Sequence, residues 1–203
     1  MPTERFRNLS QEKRERIDRA AIDELAELGF EGATVAGVVR RAQIPRGSFY
    51  QYFADMSDLI AYVFGLIVEA KLVYLGDTLA LAGKIPVLDY YRAVFAQGLA
   101  FAEARPEFLG IGRHMYQSHN PALREQVKQG MTEWHRLLSP LVKHDQEKGL
   151  IRPDVDPDLT ARLLATMLTE ALLEELYREH RSAAEVMAFV DHTVGILKHG
   201  LMK

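Results

Sequence analysis

The residues most able to do chemistry stand together as Arg46-Gly47-Ser48-Phe49-Tyr50-Gln51-Tyr52-Phe53. Phe49 and Phe53 are four apart, so on a helix they share one face and can anchor it in a core. Arg46, Ser48, Tyr50, Gln51 and Tyr52 are then left as hydrogen-bonding groups for the other faces. A guanidinium can fork onto O6 and N7 of guanine, and a glutamine amide onto N6 and N7 of adenine. A tyrosine hydroxyl can reach a phosphate. Gly47 leaves a backbone N–H near a helix start open to an anion. The same residues also suit an aromatic packing helix with incidental polar groups, and composition weighs the two readings about equally.

No other constellation assembles. His114 and His119 are five apart and His192 and His199 seven apart, so neither pair presents two ligands from adjacent turns. Gly110-Ile-Gly112 starts like a dinucleotide loop but lacks the third glycine. Gly47-Ser48-Phe49 lacks the second glycine of a nucleophile elbow. The expectation is a protein with no catalytic residue, no metal and no cofactor. No enzymatic activity is expected.

The elements that must position residues 46–53 read as helices throughout. Ser10 caps a first helix with Ile17, Ala21, Leu25 and Leu28 as its stripe, ended by Gly29. Thr34 starts a short second helix with Val35, Val38, Val39 and Ala42 inward, Gln43-Ile44 forms a tight connection, and Pro45 opens the third. Asp55 caps a long fourth helix with a stripe of Leu59, Val63, Ile67, Ala70 and Tyr74. Further helices are expected over 87–104, 107–117 and 121–148, the last kinked or split at Pro140. Two more cover 157–180 and 183–201, the second behind the capping box Ser182-Ala-Ala-Glu185. The fold class is all-α with about nine helices.

With 203 residues, 48% hydrophobic and 26% charged, the chain can bury its own core without staples, and the absence of cysteine excludes disulfides and thiol chemistry. The first five residues do not open a signal peptide, and the apolar run Leu59–Val68 is too short to span a bilayer. The expected location is the cytoplasm, with no membrane partner. Net charge is −3, but residues 1–53 hold nine Lys/Arg against eight Asp/Glu, a slightly basic lobe on an acidic body.

Two short helices joined by a tight turn have the size of a helix-turn-helix. The run Thr34-Val-Ala-Gly-Val-Val-Arg-Arg-Ala-Gln-Ile-Pro-Arg-Gly-Ser-Phe-Tyr-Gln-Tyr-Phe-Ala-Asp-Met-Ser-Asp-Leu59 resembles the DNA-binding head of TetR/AcrR-type bacterial transcriptional regulators. The likeness is strongest at Thr34, Ala42, Gly47, Tyr50, Tyr52, Phe53 and Leu59, and it covers about the first 60 residues. It implies a DNA-binding domain over 1–54 and a ligand-binding and dimerisation domain over 55–203. It also implies that Thr34, Tyr50 and Tyr52 contact phosphate, Arg46 a base or phosphate, Gly47 through its N–H, and Ser48 and Gln51 the groove. Two positions depart from the family habit: Gln43 stands where glycine is common, and Met56 where a phosphate-anchoring lysine is common. Arg5 or Arg7 could replace that anchor from an ordered N-terminal arm.

The resemblance further implies a homodimer through the last two helices, with Leu163, Met167, Leu168, Val186, Val190, Val194 and Leu197 as candidate interface residues. A small apolar or amphipathic effector would be lined by Tyr91, Phe95, Leu99, Met115, Met131, Trp134 and Leu138. The function this implies is a ligand-responsive regulator, most often a repressor, on a palindromic double-stranded DNA operator. A helical small-molecule-binding or scaffold protein without specific DNA binding is the alternative.

Overall fold

The structure, a computed structural model, describes residues 2–178 and 181–201; the side chains of Ala122, Met167 and Leu168 lie outside that description. All regular structure among the described residues is helical: α1 (Glu4–Arg7), α2 (Gln11–Gly32), α3 (Val35–Ala42), α4 (Arg46–Tyr52), α5 (Met56–Leu79), α6 (Val87–Ala104), α7 (Pro106–Gln117), α8 (Pro121–Glu147), α9 (Pro157–Leu163), α10 (Thr169–Tyr177) and α11 (Ala183–Leu201). A π-helical segment, Leu164–Leu168, joins α9 to α10 through continuous right-handed backbone. Counting that rod once gives ten helices among the described residues. The one absent from the sequence reading is α1, a single turn.

The chain forms two compact units. One comprises Met1–Val73 with Ala102–Ser118, the other Tyr74–Phe101 with His119–Lys203. This packing division differs from the functional division expected at 54/55, because most of α5, as far as Val73, and all of α7 pack with the first unit.

In the first unit the local signals explain the helix ends. The Ser10 side chain accepts from the Lys13 N–H, and Thr34 from the Gly37 N–H. The Asp55 carboxylate accepts from the Asp58 N–H at 2.9 Å, so it caps α5 as expected. Gly29 takes φ 67°, which breaks α2 near its end, and an added Cβ there would meet His114 Nδ1 at 2.9 Å. Gln43 ends α3 in the left-handed region at φ 52°, while the Ile44 N–H closes back on the Val39 carbonyl. That conformation costs a non-glycine residue about 1–2 kcal/mol. Pro45 is the residue before α4 rather than its first.

Phe6 on α1 is buried against the rings of Phe53 (4.9 Å), Tyr62 (5.1 Å) and Tyr52 (5.9 Å). Phe49 adds to this cluster, its ring 5.6 Å from Phe53. Burying each such ring contributes roughly 1.5–3 kcal/mol, so the cluster fixes α4 in the unit. α7 packs along α2: a Cβ at Gly110 would touch the Ala26 carbonyl at 3.3 Å, and Ser118 donates to Glu31 at 2.8 Å.

The second unit is built on Val87, Leu88, Tyr90, Tyr91, Leu138, Val142, Ile151, Leu164, Ala165, Leu172, Val190 and Val194. The buried Asp145 accepts the Val87 N–H at 2.6 Å and so caps α6 from across the unit. Ser182 and Glu185 exchange the bonds of the expected capping box. Of the kink or split expected at Pro140, the split does not occur: α8 continues as one helix through it.

By length and composition alone α5 could cross a membrane, since its apolar character continues past Val68 to Leu79. Within the first unit, however, Leu59 and Val63 on this helix are fully buried.

Candidate functional site

The outer face of α4 is built by what its inner face holds. Phe49 and Phe53 are buried, as expected of anchors, while Arg46, Gly47, Tyr50 and Gln51 are exposed and Ser48 is half-buried. Tyr50 leaves half of its side chain, 52%, in solvent. A Cβ at Gly47 would touch nothing within 4 Å, so the protein's own packing does not require glycine there. Open space at that point suits the close approach of an external macromolecule. Tyr52 is the exception. It is 5% exposed, packed on Phe6 with the Lys13 ammonium 5.7 Å from its ring, which corrects its expected phosphate contact.

Thr34 keeps its exposed place at the start of α3. Its oxygen is occupied as an acceptor by the Gly37 N–H at 3.0 Å, which leaves the hydroxyl proton to donate outward.

α3 is locked to α2 by a charged cluster that sequence reading missed. Glu24 is 1% exposed; it accepts from the Thr34 N–H at 3.3 Å and from Arg41 Nε at 2.8 Å. Arg41 also forks onto Glu27, and these carboxylates hold its guanidinium still more firmly protonated. The same hydrogen bond keeps the Glu27 carboxyl below its usual pKa. Gly37 makes room for the lock, since a Cβ would fall 1.7 Å from Glu24 Oε1. Arg16 donates to the Ala42 carbonyl at 3.0 Å, a second tie between the same helices. The signal in the sequence was Gly37 within an apolar helix.

The N-terminal arm is ordered against the end of α4. The Thr3 N–H donates to the Tyr52 carbonyl at 3.0 Å and its hydroxyl to the Gln51 carbonyl at 2.6 Å. Arg5 and Arg7 on α1 stay exposed and enter no ion pair among the described residues.

Of the residues expected to line an effector site, Tyr91, Phe95, Trp134 and Leu138 come together in the second unit. The Tyr91 ring lies 4.6 Å from Phe95 and 6.4 Å from Trp134. Leu99 and Met131 are half-buried outside that cluster, and Met115 belongs to the first unit. Burial pushes the phenols of Tyr90 and Tyr91 above the ordinary tyrosine pKa.

The expected interface residues divide by exposure. Val186, Val190 and Val194 are buried in the chain's own core and so are not open to a partner, which corrects the assignment of these three, while Leu197 packs against that core and stays partly exposed. Leu163 is exposed, as are Leu159 on the same stripe and Ile196 on α11; Met167 and Leu168 lie outside the described side chains.

Against known proteins, the model for bacterial regulatory proteins of the tetR family matches residues 17–63. A second model, the tetracyclin repressor-like C-terminal domain, matches residues 114–190. The two together account for more than half of the chain. The chain belongs to the TetR family. It is a transcriptional regulator of that family with the helix-turn-helix head that α3 and α4 supply. Among TetR-type relatives, the transcriptional regulator AcuR of Cereibacter sphaeroides is 29% identical over 157 residues, 70% of this chain and 67% of its own. The HTH-type transcriptional repressor DhaR of a Mycobacterium species is 24% identical over 76% of this chain and 78% of its own. A TetR-family regulator of Chloroflexus aurantiacus shares the fold at TM-score 0.72 and 26% identity, covering 100% of this chain and 99% of its own.

Proposed function

We propose that the protein is a homodimeric, effector-responsive repressor that reads a palindromic operator through α4 and releases it when a small apolar or amphipathic molecule binds. The observation that carries this reading is the two-sided character of α4. Its phenylalanines are sunk in the unit while Arg46, Gly47, Tyr50 and Gln51 stay open. Arg46 and Gln51 are suited to base edges, and Tyr50, Thr34 and Ser48 to phosphates and the groove wall. The exposed Arg5 and Arg7, held beside the end of α4, take over the phosphate anchoring that Met56 cannot supply. A head of this design without specific DNA binding would have no use for an open Arg46.

Dimerisation uses the outward residues Leu159, Leu163 and Ile196 of the last helices, because apolar groups on the surface of a two-fold assembly are covered by their copies. The effector binds the Trp134 cluster of the second unit. α5 carries the chain from the first unit into the second at Val73–Tyr74. The repressor sign is supported by the name of DhaR. In this reading 1–54 serves DNA and 55–203 serves ligand and partner, in the cytoplasm.

Selection of bound fragments from a genomic library by the full chain tests the reading. The recovered sequences should share a palindromic motif with half-sites about 34–36 Å, or a multiple, apart. Recovery of unrelated fragments, or of an unsymmetrical motif bound by a monomer, would contradict it.

A further inference from the structure

Tyr90 and Tyr91 are adjacent on α6 and each is 1% exposed, yet neither phenolic oxygen has a hydrogen-bond partner. The Thr169 hydroxyl on α10 is buried and unpartnered as well. It stands close enough to Tyr91 to act against the rise in phenol pKa that burial causes, without the geometry of a hydrogen bond. Buried hydroxyls are nearly always satisfied, so three in one unit need a reason.

Thr169 also breaks the habit of this chain. The helical threonines 132, 160, 166 and 193 each return the hydroxyl to the carbonyl four residues back, at 2.7–3.0 Å. For Thr169 that carbonyl belongs to Ala165, inside the π segment Leu164–Leu168 that ends one residue before it. π turns bond five residues back and recur at functional sites. Here the segment coincides with a hydroxyl left free beside an aromatic cluster.

We infer that the hydroxyls of Tyr91 and Thr169 are the polar end of the effector site, and that they select an uncharged apolar molecule carrying a carbonyl oxygen. Tyr90, on the adjacent position of α6, supplies a further donor. The inference rests on the effector reading given above. A carbonyl oxygen has two lone pairs and no proton, so it can accept from two hydroxyl donors at once. The surroundings are the apolar side chains of Phe95, Trp134, Leu138, Leu164 and Ala165. Burying a carboxylate among these apolar side chains is strongly unfavourable. A plain hydrocarbon would fit the apolar walls but leave the hydroxyls as they are.

Trp134 is the only tryptophan, and its ring is 6.4 Å from that of Tyr91, so its fluorescence reports binding in the full-length chain. The probes are cyclohexanone, cyclohexane and cyclohexanecarboxylate. Cyclohexanone should bind about tenfold more tightly than cyclohexane, as one or two recovered hydrogen bonds require, with the carboxylate weakest. Tyr91→Phe and Thr169→Val should each remove about threefold or more of that preference and leave the cyclohexane affinity within about twofold. Without ligand, Tyr91→Phe should melt at a temperature about 2–4 °C higher, because it deletes an unsatisfied buried hydroxyl. The inference is overturned if both variants keep the ketone preference, if the carboxylate binds tightest, or if Tyr91→Phe melts lower with unchanged selectivity. Equal binding of all three probes overturns it while the effector reading survives. No response to any probe overturns both.

Discussion

Replacing Gly37 with alanine should unfold the first unit at growth temperature. The new Cβ would sit 1.7 Å from Glu24 Oε1 and 2.2 Å from its carboxyl carbon, so the carboxylate must leave its place. Leaving costs Glu24 its bonds to the Thr34 N–H and Arg41 Nε while the group is still enclosed. Overpacking alone costs about 1–3 kcal/mol. A buried charge stripped of its partner adds about 3–5 kcal/mol. Together these approach the whole stability of a typical domain. Urea denaturation of the full chain should show the loss, and operator binding should vanish with it. The cause is checked by repeating Gly37→Ala in a Glu24→Ala background, where the steric part disappears and the second substitution should cost far less than the first. Equal costs in the two backgrounds would show that the lock is not what requires glycine.

The second large effect concerns assembly, and it separates two residues of α11 that periodicity alone treats alike. Ile196 is 74% exposed in the protomer, whereas Val190 is 2% exposed. In the proposed dimer, glutamate at 196 should therefore leave the protomer folded and split the assembly, because only the partner would bury the charge. Glutamate at 190 should unfold the second unit by placing an unpaired charge in its core. Splitting the dimer turns two tethered half-site contacts into independent ones, a loss of about 10²–10⁴ in operator affinity without any change at α4. Sedimentation with circular dichroism distinguishes the outcomes. A fully helical Ile196→Glu dimer with wild-type operator affinity would place the interface elsewhere.

How much of this was legible in the sequence depends on distance from a helix end. Caps and turns are local, so Ser10, Thr34, Asp55 and the Ser182–Glu185 box could be placed from residue type alone. Long stripes were less legible. Each step of four residues overshoots a turn by about 40°, so a stripe drawn by fours from Leu59 drifts off the buried face. Leu59 and Val63 are buried, but at the far end Leu75 is inside and Tyr74 is exposed. The valines at 186, 190 and 194 show the other limit: a stripe says that a face is covered, not whether the cover is the same chain or a copy. In α4 the two phenylalanines fixed the inner face, yet Tyr52 joined them because α1 brings Phe6 against it. Such a contact spans 46 positions and has no local signal. The Tyr91–Thr169 pair was illegible for the same reason, and the Glu24–Arg41 lock left Gly37 as its one local trace.

The central claim is that α4 reads base sequence. Its most direct test is the anisotropy of a labelled operator duplex and of a scrambled duplex, titrated with the full chain over a salt series. Wild type should prefer the operator by about 10³-fold or more. Arg46→Ala should lose about 1–3 kcal/mol per half-site on the operator and leave the scrambled duplex nearly unchanged. The double variant Arg5→Ala with Arg7→Ala should weaken both duplexes alike and lower the salt slope by about 2 per protomer. A wild-type chain that binds both duplexes equally, or an Arg46→Ala variant that keeps full operator preference, would contradict the account.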